Sequence, residues 1–240
     1  MRQTARCQKR QRAVIYVSNN VEKNAEKCQK YLKSEKGCDK IKLIFQTECK
    51  IVKEIASTKD FQQRIKRVLV TEAEIADAVK KAGKQIDALY DGRPILLVSL
   101  LKGAFVFMAD LCRAVSVPAE IGFMCAKSYY KGTRSSGIVQ ITMDLEQDIS
   151  GYHVVLVEDI IDTGRTLNDV VKLLRARNPL SLHVVTLLDK PSRRVVDFEA
   201  DITLFTIPDH FVIGYGLDCG EYYHNLPYIA EYDEEEVNNA

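Results

Sequence analysis

The sequence predicts an α/β fold with a mostly parallel central sheet that is flanked by helices. Apolar runs at residues 95–101, 153–158 and 182–188 have the length and composition of strands buried on both faces. Segments with helical spacing of apolar residues separate these runs, and strands that alternate with helices are typical of a parallel sheet. Ligands of such sheets bind at the carboxyl ends of the strands, so we expect a site at that edge.

The regular elements begin near residue 64. Thr71 followed by Glu74 forms a capping box, and apolar residues spaced by three and four predict a helix that ends at the Asp-Gly-Arg-Pro sequence of residues 91–94. The strand at 95–101 leads into a second helix around 107–115.

A long hairpin arm and the rest of the sheet follow. Predicted strands at 120–126 and 138–145 enclose the polar loop 128–136. The strand at 153–158 leads through a polar turn into a helix that ends at Asn-Pro, residues 178–179. The last predicted strands are residues 182–188, 202–207 and 211–215.

Length and composition are those of a globular protein. The 240 residues are 46% hydrophobic and 28% charged, which excludes disordered and fibrous chains. The apolar run at 95–101 is far shorter than the roughly 20 residues that cross a bilayer, so we expect no membrane attachment. Seven cysteines, an odd number without a CxxC motif, predict reduced thiols in an intracellular, cytoplasmic protein.

Residues 1–60 differ from the rest of the chain. They hold 15 Lys/Arg against 7 Asp/Glu, whereas residues 61–240 hold 19 against 26. We therefore divide the chain into a basic N-terminal extension, residues 1–60, and a domain, residues 61–240. The extension has three interpretations: a solvated or disordered segment, a targeting segment that would make the protein organellar, and a nucleic-acid-binding arm.

The most informative stretch is VVLVEDIIDTGRTL, residues 154–167. Glu158 and Asp159 follow one another at a strand end, and a turn with Gly164 leads into a helix. Backbone N–H groups at a helix N-terminus, two Thr hydroxyls and a permissive glycine form a cradle for phosphate. Because acids repel phosphate, the two acids are expected to hold sugar hydroxyls or a divalent cation. Neither GxxxxGK[ST] nor GxGxxG is present, which disfavours a P-loop NTPase and a dinucleotide fold.

This stretch resembles the phosphoribosyl-diphosphate signature of type I phosphoribosyltransferases. Four further stretches, in the same order, are similar to the bacterial hypoxanthine-guanine branch of that family: SLLKGAFVFMADL (99–111), SYYKGTRSSG (128–137), LLDKPSRR (187–194) and FVIGYGLDCGEYYHNLPYI (211–229). The resemblance covers about 170 residues and leaves residues 1–60 unexplained. It implies the type I fold with a small hood from the terminal parts and a flexible hairpin lid.

The resemblance also implies a reaction in purine salvage. Hypoxanthine or guanine would react with phosphoribosyl diphosphate to give IMP or GMP and pyrophosphate, with Mg²⁺ as cofactor. The sugar carbon gains oxocarbenium character, so the placement of charge should dominate catalysis. The implied partners are phosphoribosyl diphosphate and 6-oxopurine bases, not nucleic acid or membrane, and the implied assembly is a homodimer or homotetramer.

By this resemblance the strand-to-helix turn binds the phosphoribosyl group. Asp162 would be the general base at purine N7. Glu158 and Asp159 would hold the ribose hydroxyls, and the 5′-phosphate would be bound by Asp162, Thr163, Gly164, Arg165 and Thr166.

Pyrophosphate and metal would be bound by neighbouring segments. Lys102 and Gly103 match the pyrophosphate loop, in which the family can have a cis peptide before the lysine; the sequence itself does not show one. Asp218 matches the magnesium ligand, with Glu158 and Asp159 as further metal candidates. His224 stands where the family usually has Arg, and because histidine loses its charge near pH 6.5, we expect a weaker and more pH-dependent grip on phosphoribosyl diphosphate.

The purine site would be formed by four residues. Lys190 would donate to the exocyclic oxygen and so select 6-oxopurines over adenine. Phe211 would stack on the base, Val212 would offer backbone contacts, and Asp218 would also lie at the purine. The alternatives are that Lys190 is a surface lysine, Phe211 a core residue and His224 merely exposed.

Ser128 and Tyr129 would begin the lid, whose closure would exclude water. A mobile surface loop is the alternative.

Two other functions compete with this one. A regulator that keeps the fold and binds nucleic acid through the basic extension would be expected to lose the catalytic groups, but Asp162, Lys102 and Asp218 are all present. An enzyme for another base is the second alternative: Lys190 argues against adenine, whereas xanthine stays open.

Overall fold

The computed structural model describes residues 62–128 and 139–233. The described residues from Arg64 to Asp233 form one compact unit. Its strands are β1 (Ile65–Val70), β2 (Ile95–Leu100), β3 (Ala119–Ser128), β4 (Val139–Met143), β5 (His153–Ile161), β6 (Ser181–Asp189), β7 (Ile202–Thr206), β8 (Val212–Ile213) and β9 (Ile229–Tyr232). Its helices are α1 (Glu72–Tyr90), α2 (Phe105–Ala114) and α3 (Arg165–Arg175), with short 3₁₀ turns at Ile149–Gly151 and Pro191–Arg193.

The central sheet has six strands in the order β4-β3-β2-β5-β6-β7. Neighbouring strands from β3 to β7 are parallel, and β4 pairs with β3 in the antiparallel direction. This confirms the predicted α/β fold with a mostly parallel sheet. β3 and β4 form the predicted hairpin arm, and the residues between them lie outside the described part.

The second sheet joins the two ends of the unit. β1, β9 and β8 form a three-stranded antiparallel sheet, in which Ile65 pairs with Tyr232 and Val212 with Glu231. It is the small hood that the fold class has at its terminal parts. The sequence did not reveal β1 and β9 as strands.

The core lies on both faces of the central sheet because the inner strand β2 is buried along its whole length and is apolar except for Ser99. All six residues of β2 are buried. Ile95 and Leu97 face the cluster that contains buried residues of α1 and α2. Leu96, Val98 and Leu100 face the cluster that contains the buried residues of α3. The two layers of helices thereby fix the sheet and the strand ends that carry the site.

Helix α1 begins and is anchored through side-chain hydrogen bonds. The predicted capping box is present: Thr71 accepts from the Glu74 amide at 3.3 Å, and the Glu74 carboxylate accepts from the Thr71 amide at 2.8 Å. Further along, the Asp87 carboxylate accepts from the amides of Ser116 and Val117. These bonds tie α1 to the turn before β3.

Several predicted strand limits differ from the observed ones, and two of these differences concern the site. β5 continues beyond residue 158 to Ile161, where its partner strand β6 still pairs with it, so Glu158 and Asp159 lie within the strand. The strand expected at 211–215 comprises only Val212–Ile213. A turn then begins because Gly214, Tyr215 and Gly216 all have positive φ.

In the described part of the chain, no helix combines the length and the apolar character needed to cross a membrane.

Candidate active site

The predicted site residues converge at the carboxyl edge of the central sheet. Lys102 follows β2, Asp162 follows β5 and Lys190 follows β6, and these three parallel strands are neighbours. The Lys190 amide donates to the Ile161 carbonyl at 3.0 Å, which joins two of the strand ends directly. One edge of the sheet thus carries the groups that the sequence assigned to base, sugar and pyrophosphate.

The turn between β5 and α3 contains only Asp162, Thr163 and Gly164. Gly164 has φ +78, a left-handed conformation that glycine adopts readily, and a Cβ at this position would lie 2.9 Å from Cδ of Arg194. The N-cap residue of α3, Gly164, has no side chain to cap the helix, and the Arg165 amide makes only a long bond of 3.5 Å to Thr163 Oγ1. Since the first-turn amides of a helix lack partners within the helix, this N-terminus can bind an anion.

Two carboxyl groups lie beside the turn in a buried environment. Glu158 Oε2 is buried and has no hydrogen-bond partner among the described residues. Burial raises the pKa of Glu158 well above its usual range, and the neighbouring Asp159 charge raises it further. Burial also raises the pKa of Asp159 to about 6, although the Ile160 amide, 2.8 Å from Oδ1, opposes this shift. Hydrogen-bond donors of a ligand, or a bound cation, would therefore stabilise the charged form of the two carboxyl groups.

The same acids fit a divalent cation better than they fit an anion. The charge of Asp218 contributes to the raised pKa of Asp159, so a third carboxylate lies in electrostatic reach. Within the described ranges, no three His, Cys, Asp or Glu side chains form a ready-made metal site. Magnesium needs none, because it commonly binds through one or two carboxylates together with substrate phosphates and water.

The segment after β2 packs directly against these acids. The peptide between Leu101 and Lys102 is cis. A Cβ at Gly103 would lie 1.5 Å from Asp159 Oδ2, so only glycine fits beside this carboxylate. The Lys102 ammonium forms an ion pair with Glu221, whose amide donates to Asp218 at 2.8 Å. The predicted pyrophosphate loop thus lies next to the predicted metal ligand.

His224 lies on the same side of the site. Its Nδ1 donates to the Gly216 carbonyl, and its ring centroid is 6.1 Å from that of Phe105. Burial is the largest cause of the raised pKa of Asp159, and an electrostatic contribution from His224 opposes it, so the two groups lie in electrostatic reach of each other. A surface cleft is lined by Leu101, Lys102, Phe105, Phe123, Glu221 and His224.

The residues expected at the purine lie around the end of β6. Lys190 is only 8% exposed and is not a surface lysine, and its Nζ is 3.9 Å from Asp209 Oδ1. Phe211 is 40% exposed and so is not a core residue. Val212 is buried in β8.

The predicted lid lies largely outside the described residues. Ser128 is the last residue of β3, and Tyr129 is the first residue beyond the described range. Their roles stay predictions.

Two arginines that the sequence analysis had not assigned to the site contact the turn between β5 and α3. Arg193 donates to the Asp162 carboxylate at 2.9 Å, and Arg194 donates to the Asp162 carbonyl and to Asp189. Both belong to the LLDKPSRR stretch, but the sequence pattern does not indicate where the side chain of an arginine four or five residues beyond a strand end points.

A short turn at a helix N-terminus, two acids and two lysines thus meet at one edge of a parallel sheet, which is the arrangement expected of a phosphoribosyltransferase. The family described as the phosphoribosyl transferase domain matches residues 67–219, and the chain belongs to this family. The resemblance found in the sequence is thereby confirmed.

The names of similar proteins specify hypoxanthine, or hypoxanthine and guanine, as the base. The hypoxanthine-guanine phosphoribosyltransferase of Streptococcus pneumoniae is 50% identical over 175 residues, which cover 73% of this chain and 97% of the relative. The hypoxanthine phosphoribosyltransferase of Escherichia coli is 48% identical over 166 residues, covering 68% and 93%. The crystal structure of the Staphylococcus aureus hypoxanthine phosphoribosyltransferase superposes with a TM-score of 0.71 at 43% identity, covering 75% of this chain and 98% of that one.

The contact between Gly103 and Asp159 gives a first prediction. Gly103→Ala should lower transferase activity by at least about tenfold, because the added methyl must displace a site carboxylate or the loop. Gly151→Ala is the matched control, since a Cβ there meets nothing within 4 Å. Steady-state kinetics of both variants tests this, and equal activities would contradict it.

The raised pKa of Asp159 gives a second prediction, which concerns the pH dependence of stability. Above pH 6 the folded protein holds a buried anion that the unfolded chain, with a carboxyl pKa near 3.8, exposes to water. Because of the Asp159 carboxyl group, the free energy of unfolding therefore decreases as the pH rises from about 4 to above 6. Asp159→Asn should therefore stabilise the ligand-free protein by about 2 kcal/mol more at pH 8 than at pH 4.

Urea unfolding at the two pH values measures this difference. Asp197→Asn, at an exposed position, should change stability by the same small amount at both. An Asp159→Asn effect that does not vary with pH would refute the assigned burial.

Proposed function

We propose that the protein transfers the phosphoribosyl group of phosphoribosyl diphosphate to hypoxanthine or guanine, giving IMP or GMP and pyrophosphate. The observation that carries the proposal is the meeting of the β5-to-α3 turn, the Lys102 loop and the buried Lys190 at one sheet edge. The purine-phosphoribosyl activity named for relatives at about 50% identity supports the same substrates.

The residues would divide the reaction between them. Amides and hydroxyls of residues 163–166 bind the 5′-phosphate at the start of α3. Glu158 and Asp159 accept hydrogen bonds from the ribose hydroxyls. As the bond from the sugar carbon to pyrophosphate oxygen breaks and the bond to purine N9 forms, carboxylates near the sugar favour its developing positive charge. Asp162 accepts the proton that leaves purine N7.

Magnesium is the proposed cofactor. Asp218, Glu158 and Asp159 would hold it. The buried Glu158 Oε2, which has no hydrogen-bond partner among the described residues, and the raised pKa of Asp159 support this choice. When bound, the ion neutralises charge on the departing pyrophosphate. Lys102, the Gly103 amide and His224 would bind the same group from the protein side.

Base selection would rest on a buried ammonium. The Lys190 ammonium donates a hydrogen bond to the exocyclic oxygen of a 6-oxopurine. Adenine has an amino group, itself a donor, at that position, so Lys190 disfavours adenine. Phe211 offers an exposed ring for stacking, and Val212 and Asp218 supply further contacts. Xanthine stays an open alternative substrate.

The wider proposals concern the whole chain. Residues 61–240 would be the catalytic domain, residues 1–60 a basic extension, and Ser128 and Tyr129 the start of a lid. We propose a homodimer or homotetramer in the cytoplasm, or in an organelle if residues 1–60 are a transit segment. Free thiols at Cys112, Cys125 and Cys219 agree with a reducing compartment.

A product assay tests the reaction, its specificity and its cofactor together. Phosphoribosyl diphosphate is supplied with hypoxanthine, guanine, xanthine or adenine, with magnesium or with a chelator, and nucleotides are separated chromatographically. We expect IMP and GMP only with magnesium, and no AMP. Nucleotide formation from adenine alone, or from no base, would contradict the proposal.

His224 gives a separate prediction. His224→Arg should lower the KM for phosphoribosyl diphosphate, and more at pH 8 than at pH 6, because a typical histidine is neutral at pH 8 whereas arginine keeps its charge. Initial rates at both pH values measure this. An unchanged KM at both would show that His224 has no part in binding.

A further inference from the structure

Arg193 joins the base-binding and proton-accepting parts of the site. It ends the 3₁₀ turn that follows β6, and its Nε lies 2.9 Å from Asp162 Oδ1. Its Nη1 lies 3.5 Å from Asp209 Oδ2, and the other Asp209 oxygen lies 3.9 Å from Lys190 Nζ. Four charged groups of alternating sign therefore run from Lys190 to Asp162.

This arrangement does little for the stability of the fold. The side chains of Arg193 and Asp162 are 47% and 43% exposed, and ion pairs between exposed side chains contribute little to folding. An effect of Arg193 should therefore appear in catalysis rather than in stability.

The main chain of the turn is held by other residues. Arg194 donates to the Asp162 carbonyl, and the Val195 amide donates to the Thr163 carbonyl at 3.1 Å. Neither bond involves the Arg193 side chain. Arg193 thus governs the direction of the Asp162 carboxylate without building the turn itself.

A carboxylate that accepts a proton needs one free, oriented oxygen. The Arg193 Nε–H occupies Oδ1, which fixes the rotation of the group and leaves Oδ2 for the substrate. Asp209 in turn holds the guanidinium and keeps it beside Lys190.

We propose that Arg193 is a positioning residue for Asp162, held in place by Asp209. This inference rests on the proposed function, since it takes Asp162 to be the proton acceptor. It adds a role for an arginine that neither the sequence nor the named relatives assign.

A double-mutant cycle with the full chain tests it. The single-turnover rate constant and the KM for phosphoribosyl diphosphate are measured for Arg193→Gln, Asp162→Asn and the double variant. Arg193→Gln should slow the single turnover about tenfold, change KM less than about twofold and leave the thermal unfolding midpoint unchanged. In the Asp162→Asn background, the same substitution should slow it by less than about twofold.

Two further variants calibrate the cycle. Arg193→Lys should recover part of the rate because it restores the charge. Arg175→Gln removes an exposed arginine near the end of α3 and should behave as the unmodified protein.

The proposal is overturned if Arg193→Gln keeps the full rate, or if it slows both backgrounds equally. Its failure is distinct from failure of the proposed function. An Asp162→Asn variant that turns over at full speed removes Asp162 as the acceptor and the Arg193 proposal with it, whereas a slow Asp162→Asn with an unaffected Arg193→Gln removes the second alone.

Discussion

The site depends on two carboxyl groups being buried at the end of a central strand, beside the start of a helix. Glu158 and Asp159 are carried there by β5, which has apolar neighbours on both faces. Burial raises the pKa of both groups, so folding places them in a state that is unfavourable when they are charged. In the function proposed above, ligand hydroxyls or a cation would relieve this state and so favour the binding of a sugar whose reacting carbon becomes positive.

Close backbone contacts hold the surrounding loops to this centre. Gly103 lies against Asp159, and a Cβ at Gly216 would lie 2.1 Å from the Gly103 carbonyl oxygen. The loop after β2, the acids of β5 and the segment after β8 thus pack as one unit. Lys102, Asp218 and His224 lie on these segments, so the groups proposed for pyrophosphate and for magnesium are held by the same packing. Such packing limits the freedom of the binding groups before a ligand arrives.

Local pattern predicted most of the sheet, but the hood and the connecting arginines needed the structure. The apolar runs identified β2, β5 and β6 because strands buried on both faces leave a continuous signal. β1 and β9 have no such signal, since their pairing joins Ile65 to Tyr232 at the far end of the chain. The sequence motifs correctly predicted that Asp162 and Lys190 follow the ends of neighbouring strands. The motifs could not predict the hydrogen bond between Arg193 and Asp162. These residues are 31 positions apart in the sequence, and whether their side chains meet depends on tertiary packing.

The direct test of the central claim is a crystal structure of the protein with GMP, magnesium and pyrophosphate. We expect the 5′-phosphate at the amides of residues 163–166, with the ribose hydroxyls against Glu158 and Asp159. Electron density that places the phosphate at another edge of the sheet, or the ribose away from these two acids, would contradict it.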